Sequence, residues 1–248
     1  MKTVYHTPGG QVYTLYQEML RQPHLLIAGA TGSGKSVLLN GLIHTALHDS
    51  PARVQFILLD PKRVELDVYK RLPHTIQYAM DPEEMVSALE NALRISEDRF
   101  RTMKRRGERT WTGSQVYVII DELAFLMTGQ KRRVLPILQR LGMIARASGV
   151  HMIACTQTVK ADVLPTTLTC NFDARVALRT STAQQSRMII DRNGCEAFPS
   201  PVIAHQALCY YRTGADLDLW KVPMVPENET AQLVKYWQSP ACRTRSLF

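Results

Sequence analysis

The sequence has few of the features expected of secreted, zinc-binding or membrane-spanning proteins. Its five cysteines are odd in number, scattered and without a C-x-x-C pair, which argues against a disulfide framework and a zinc site. No apolar run approaches the roughly 20 residues of a membrane span. The N-terminus, "MKTVYHTPGG", lacks the apolar segment of a signal peptide. These absences predict a cytoplasmic protein with reduced thiols and no membrane segment in this chain.

Acidic residues are outnumbered by basic ones. The chain of 248 residues has 30 Lys and Arg against 22 Asp and Glu, which gives a net charge of +8. Such a surplus favours a polyanionic partner, although many soluble proteins without one are also basic. The length fits one large α/β domain or two small ones.

Short apolar runs alternate with longer segments of helical periodicity. The predicted strands are Leu25–Ala28, Val54–Leu59, Val116–Ile120, Met152–Cys155, Arg175–Leu178 and Ala207–Tyr211. The predicted helices are Lys35–Leu47, Pro82–Lys104, Arg133–Ala147 and Ala183–Ile190, with a short one at Glu229–Trp237. Largely apolar strands separated by helices predict an α/β fold: a mainly parallel sheet with helices on both faces.

One glycine-rich loop follows the first predicted strand and fits G-x-x-x-x-G-K-[ST] without a gap. In such a loop, backbone N–H groups and the start of the next helix surround a polyphosphate. Lys35 is expected to neutralise the β- and γ-phosphates, and the Ser36 hydroxyl to ligate Mg²⁺. The predicted ATP-binding residues are Gly29, Ala30, Thr31, Gly32, Ser33, Gly34, Lys35, Ser36 and Val37.

Two carboxylates, Asp121 and Glu122, end another apolar strand. Asp121 is expected to hold Mg²⁺, and Glu122 to orient and deprotonate the water that attacks the γ-phosphate. The alternative is a helix N-cap with an acidic first turn. Gln157 lies at the end of a later apolar strand, "VHMIACTQ". Two interpretations of this residue are open: a contact to the γ-phosphate, or a turn residue.

Several segments of the chain together resemble the motor domain of the FtsK/SpoIIIE DNA translocases. The resemblance runs in order from about Leu25 to Tyr211. It is carried by "GATGSGKSVLLNGLI", "ILLDPKRVELDVYKRLPH", "VIIDELAFLM", "IARASGVHMIACTQ" and "NFDARVALRTSTAQQSRMIID". The Asp-Pro-Lys and Arg-Ala-x-Gly-Val-His pieces are much more specific than the phosphate loop.

This resemblance implies a RecA-like ATPase that forms a hexameric ring and pumps double-stranded DNA. It also implies that Gln157 senses the γ-phosphate. In a ring, a neighbouring subunit can insert an arginine that stabilises transition-state charge. Arg187 is the first candidate and Arg175 the second; an exposed structural charge is the alternative for each.

The sequence also departs from the family. Thr158 follows Thr-Gln where the family usually has arginine, and no winged-helix domain is evident after residue 212. These departures predict a compact relative of the kind that mobile elements encode, with a relaxase or replication protein as a possible partner. A secretion ATPase that moves protein, or an ATP-dependent assembly switch, are the alternative functions.

The expected organisation is a lead-in at 1–22, the motor domain at 23–222 and a tail at 223–248. Two basic stretches stand out. Arg99–Arg109 is interpreted mainly as a solvated or interface face. Lys131–Arg133 is predicted to be a basic loop just beyond the acidic strand. This loop and Lys160 are expected to face the inner surface of the ring, where they would contact DNA phosphates.

Overall fold

The computed structural model describes residues 14–239. Its strands are β1 (His24–Ala28), β2 (Val54–Leu59), β3 (Thr75–Ala79), β4 (Gln115–Ile120), β5 (Val150–Thr156), β6 (Ala174–Ala177), β7 (Leu208–Thr213) and β8 (Asp216–Lys221). Its helices are α1 (Thr14–Leu20), α2 (Lys35–Ala46), α3 (Pro82–Arg106), α4 (Leu123–Gly129), α5 (Lys131–Ile144), α6 (Thr166–Thr169), α7 (Ala183–Ile190), α8 (Pro201–Ala204) and α9 (Glu227–Gln238).

The strands form one sheet in the order β3-β2-β4-β5-β1-β6-β7-β8. The strands β1 to β6 pair in parallel, and the hairpin β7–β8 continues the sheet in antiparallel pairing. Because β4, β5 and β1 are neighbours, the segments that follow them leave the same edge of the sheet side by side. This edge is called the carboxyl edge below.

Alternate residues of the central strands point to opposite faces, and each face has its own apolar core. Leu26 of β1 belongs to the core under α3, α4, α5 and α7. Its neighbour Ile27 belongs to the core under α1 and α2. The predicted α/β architecture, a mainly parallel sheet with helices on both faces, is therefore confirmed.

The long helix α3 begins as the sequence predicts. Asp81 and Glu84 form a reciprocal capping box around Pro82 at the first position, and Gly107 ends the helix in the left-handed region at φ 68°. The helix runs two residues beyond the predicted Lys104. Its start is therefore fixed by local side-chain chemistry, and its end by a glycine.

Two strands were not predicted, β3 and β8. Both are interleaved with polar residues, "TIQYA" and "DLDLWK", and both lie at the ends of the sheet. A search for apolar runs misses them because an edge strand needs apolar side chains on one face only. The helices α1 and α4 were also missed, as each has only seven residues.

The described parts of the predicted lead-in and tail pack on the body of the protein. In α1, Leu15, Tyr16 and Met19 are buried, and the Tyr16 hydroxyl donates to the carbonyl of Pro223. In α9, the Trp237 indole donates to the carbonyl of Leu47 over 2.8 Å. The domain boundaries at 22 and 222 remain predictions; residues 1–13 and 240–248 lie outside the described part.

Between residues 14 and 239, no helix has the combined length and apolar character needed to cross a membrane. The four cysteines of this range, Cys155, Cys170, Cys195 and Cys209, are free, and Cys242 lies outside it.

Candidate nucleotide-binding site

The loop between β1 and α2 has the shape of a phosphate cradle. Gly32 and Gly34 take positive φ angles of 69° and 98°, which side chains rarely allow. At Gly29, an added Cβ would lie 2.7 Å from the Ser33 hydroxyl oxygen. The Ala30 N–H anchors the loop to the carbonyl of Arg179 over 2.8 Å. The glycines that the motif requires are therefore required by this backbone as well.

Lys35 begins α2 and lies almost inside the loop. Its side-chain nitrogen donates to the Gly29 carbonyl over 3.3 Å, and the residue is 9% exposed. Burial lowers the pKa of Lys35, with partial compensation from Cys155 and the nearby acids. This cation has no carboxylate within ion-pairing distance among the described residues, so an anion in the loop would meet a poorly neutralised positive charge.

The acidic pair, Asp121 and Glu122, directly follows β4, and both side chains are buried. Burial raises the pKa of Asp121 to about 6, although Lys62 opposes the shift. Among the described residues, the Asp121 Oδ2 atom has no hydrogen-bond partner, and Lys62 Nζ lies 3.9 Å from it. A buried carboxylate oxygen without a hydrogen bond fits a hard cation such as Mg²⁺, which prefers oxygen ligands. Asp121 and the Ser36 hydroxyl would supply the protein ligands.

Glu122 is held by its neighbours on β5. Its Oε1 atom accepts from the Thr156 hydroxyl over 3.0 Å and from the Gln157 N–H over 3.1 Å. Although Glu122 occupies the N-cap position of α4, its side chain makes no capping hydrogen bond. The carboxylate is thus aimed along the carboxyl edge, where it can orient a water molecule, rather than at the helix.

Gln157 connects the end of β5 with the phosphate loop. Its side-chain oxygen accepts a hydrogen bond from the Thr31 hydroxyl over 2.8 Å. With its backbone on Glu122 and its side chain on Thr31, Gln157 touches both halves of the candidate site. This contact supports the γ-phosphate interpretation over that of a simple turn residue.

The loop after β2 supplies charged side chains that sequence reasoning quoted without a role. Lys62 Nζ lies 3.4 Å from Glu122 Oε2, and the Ser36 hydroxyl donates to Glu65 over 2.5 Å. The buried Asp60 shapes this loop by accepting from the N–H groups of Arg63 and Leu66. The sequence did contain an indication that this loop belongs to the site, because its charged residues directly follow a buried strand of the same sheet.

The two arginine candidates differ in the burial and the hydrogen bonds of their side chains. The Arg175 guanidinium donates to the carbonyls of Phe172, Thr169 and Ile189 and is half-buried. Arg187 is exposed on α7, and its one hydrogen bond within residues 14–239 goes to Asn193 over 2.6 Å. The Arg175 side chain is therefore held by contacts within the chain, whereas the Arg187 side chain is exposed. Arg179 beside the phosphate loop was missed; its Nε is buried and has no hydrogen-bond partner in the part of the chain that the structure describes.

The Lys131–Arg133 stretch was expected to be a basic loop, but it forms the first turn of α5. Lys131 donates to the Asp162 carbonyl over 2.9 Å, and Arg133 pairs with Glu83 over 2.6 Å. In the described structure, Arg132 and Lys160 make no such contact and are exposed. Two cations of this group are therefore already engaged, and the other two are available.

Comparisons with known proteins agree with this geometry. A sequence model of the FtsK/SpoIIIE family matches residues 7–115. The chain carries an FtsK/SpoIIIE domain. Over 200 residues it is 38% identical to the DNA translocase FtsK of Lactococcus lactis subsp. cremoris. The aligned region covers 72% of this chain and 26% of that protein. The FtsK of Streptococcus pneumoniae gives the same values. The chain thus spans about a quarter of the length of these curated relatives.

Solved structures share the fold. The conjugation coupling protein TcpA of pCW3, solved with ATPγS, superposes with a TM-score of 0.75 at 20% identity, covering 88% of this chain and 66% of that one. The type VII secretion ATPase EccC of Thermomonospora curvata gives 0.71 at 22% identity, covering 88% and 28%. These likenesses establish the RecA-like P-loop fold for this chain.

Proposed function

We propose that the chain is a subunit of an ATP-driven double-stranded DNA translocase. The observation that carries this proposal is the position of Glu122, which two hydrogen bonds from β5 hold beside the phosphate loop and Asp121. The relatives named DNA translocases, at 38% identity, and the net charge of +8 support DNA as the track.

In the proposed site, the loop amides and Lys35 bind the phosphates of ATP. Mg²⁺, held by Ser36 and Asp121, would neutralise charge on the β- and γ-phosphates. Glu122 accepts the proton of the attacking water, and Thr156 and the Gln157 N–H keep its carboxylate oriented. Gln157 reports loss of the γ-phosphate through Thr31.

We further propose a homo-hexameric ring in which Arg187 of each subunit reaches the neighbouring nucleotide. The exposure of Arg187 and its single hydrogen bond support this role. The fold likeness to a conjugation coupling protein supports transfer of a mobile element as the process, with a relaxase or replication protein as the partner.

The decisive assay measures ATP hydrolysis with and without duplex DNA, at stated Mg²⁺ and salt. A DNA motor is stimulated by duplex of any sequence, and the stimulation falls steeply as salt rises. A secretion-type motor, which the fold likeness to EccC keeps as the second candidate, requires its protein cargo instead. An assembly switch turns over slowly under both conditions.

The DNA path is tested with Arg132→Ala/Lys160→Ala, the two members of the predicted basic group whose exposed side chains contact no other side chain or carbonyl within residues 14–239. We expect a flatter salt dependence of DNA binding and weaker stimulation, with basal hydrolysis unchanged. Arg105→Ala/Arg106→Ala, on the far end of α3, serves as the charge-matched control. If both double variants lower stimulation equally, the effect is one of net charge and not of a path at the carboxyl edge.

A further inference from the structure

Two histidines lie close together at the end of α2. His44 belongs to the last turn of the helix, and His48 follows four positions later, after Leu47, whose φ and ψ angles of −70° and −7° are still helical. Residues four apart on a helix share a face. The two Nε2 atoms lie 3.3 Å apart, and the ring planes are at 80° to each other. The pair therefore brings two nitrogens that can bind a metal ion into one place.

The separation of the two nitrogens is that of two ligands on one metal ion. Zinc–nitrogen bonds are about 2.0–2.1 Å long, so two histidine nitrogens of a tetrahedral site lie about 3.3–3.4 Å apart. Without a metal ion, the His48 Nε2–H group can donate to the Nε2 lone pair of His44. A metal ion between the rings would replace this proton, which would move to the Nδ1 atom of His48.

The second ring nitrogen of His44 has a partner on α9. Its Nδ1 atom lies 3.2 Å from the Thr230 hydroxyl oxygen. When Nδ1–H donates to this oxygen, Nε2 keeps its lone pair directed toward His48. Metal-binding histidines commonly donate their second N–H in this way, which fixes the tautomer and the orientation of the ring. Thr230 would thus orient His44 for a bond to the metal ion.

The surroundings keep His44 in the form that binds metals. Burial, and to a smaller extent the neighbouring His48, lower the pKa of His44 to about 4, so its ring is neutral at pH 7. Only a neutral imidazole offers a lone pair to a metal ion. His44 is buried, whereas His48 is exposed. One ligand is therefore held in place by the fold, and the other gives access from solvent.

The pair offers nitrogen ligands and no carboxylate. Asp49, the next residue, pairs with Arg53 over 3.5 Å. Within residues 14–239, no cluster of three or more His, Cys, Asp or Glu side chains could hold a metal ion, so water would complete the coordination. Imidazole nitrogens favour Cu²⁺, Ni²⁺ and Zn²⁺, whereas oxygen ligands favour Mg²⁺. His44 also lies about 14 Å along α2 from Lys35. Chemistry and position thus separate the pair from the Mg²⁺ site proposed at Asp121.

We propose that His44 and His48 bind one divalent transition metal ion of the Cu²⁺, Ni²⁺ and Zn²⁺ class, with Thr230 orienting His44. The site joins α2, which begins at the phosphate loop, to α9. The Trp237 indole of α9 donates to the carbonyl of Leu47, so the ion would bind where the two helices are already in contact. A bound ion would therefore strengthen the attachment of α9 to α2.

The test titrates the untagged chain with Zn²⁺ and Cu²⁺ by calorimetry, without nucleotide and in excess Mg²⁺, which occupies sites made of oxygen ligands. His48→Gln removes the exposed ligand, and His205→Gln, at an exposed histidine elsewhere, is the matched control. We expect one ion per parent chain, at least about tenfold weaker binding in His48→Gln, and parental binding in His205→Gln. Thr230→Val should weaken binding about tenfold, because His44 loses its orienting partner.

Electron paramagnetic resonance of the Cu²⁺ complex counts the nitrogen ligands. Two imidazole nitrogens are expected in the parent chain and fewer in His48→Gln. No binding by the parent, or equal affinity in the parent and His48→Gln, would overturn the proposal. Equal losses in His48→Gln and His205→Gln would overturn it too, since the effect would then belong to exposed histidines in general. Unchanged binding in Thr230→Val would overturn the role of α9.

Discussion

Charged side chains are buried at both edges of the sheet, where the parallel strands begin and where they end, but their hydrogen bonding differs. At the end opposite the carboxyl edge, the buried Arg99 donates to the carbonyls of Ser148 and Gly149, and its guanidinium lies 4.8 Å from the Trp111 ring centre. At the carboxyl edge, within the described range 14–239, the Lys35 side chain donates to one carbonyl, and one oxygen of Asp121 has no hydrogen bond. Buried charge with a full set of partners stabilises a fold; buried charge without one marks a place for a ligand.

The largest expected effect follows from removing the cation of the phosphate loop. Lys35→Ala should abolish ATP hydrolysis and weaken nucleotide binding, because the phosphates lose their positive partner. The fold should be retained, since Lys35 makes one hydrogen bond to a carbonyl. Hydrolysis by radioactive phosphate release and the circular dichroism melting curve measure the two parts. Normal turnover in the folded variant would remove the basis of the nucleotide assignment.

At the edge where the parallel strands begin, Arg99→Gln should lower the free energy of unfolding and leave ATP hydrolysis unchanged. It removes the guanidinium donor of the Ser148 carbonyl, while the Gly149 carbonyl keeps the Val116 N–H, and we expect a loss of about 1–3 kcal/mol in the free energy of unfolding. Urea denaturation measures it, with the exposed Arg101→Gln as the control on the same helix, where a loss under about 1 kcal/mol is expected. Equal effects of the two variants would contradict the structural role of Arg99.

Asp121→Asn should do the reverse of Arg99→Gln and stabilise the protein in the absence of nucleotide. The pKa of Asp121 is raised from 3.8 to about 6, so ionisation of this group opposes folding. The cost is absent below about pH 4, where both states are protonated, and complete above pH 6. The free energy of unfolding from urea denaturation at pH 7.5 should therefore be about 1–2 kcal/mol higher in the variant, and the gain should vanish near pH 4. A loss of stability at pH 7.5 would show that Asp121 is a fully satisfied structural carboxylate.

Sequence reasoning proposed those parts of the candidate site in which chemistry fixes the spacing of the residues. The phosphate loop and the acidic pair depend on a few adjacent residues, and their geometry follows from one strand and the turn after it. The start of α3 was equally local, because Asp81, Pro82 and Glu84 form its cap by themselves.

The rest depended on contacts between distant segments. Lys62 meets Glu122 across 60 positions of the chain, and Glu65 meets Ser36 across 29. The contact of α9 with Leu47 through Trp237 could not be predicted for the same reason, since the segment was interpreted as a tail. The first turn of α5 was predicted as a loop because its three residues are all basic and show no apolar spacing that would indicate a helix.

The central claim is that the carboxyl edge hydrolyses a nucleoside triphosphate with Glu122 as the base. The most direct measurement is single-turnover hydrolysis together with binding of ATPγS in Glu122→Gln, with the exposed Glu90→Gln as the control. The account predicts binding close to that of the parent protein and hydrolysis at least about a hundredfold slower in Glu122→Gln alone. Parental turnover in Glu122→Gln would contradict it and assign the water-activating role to another group.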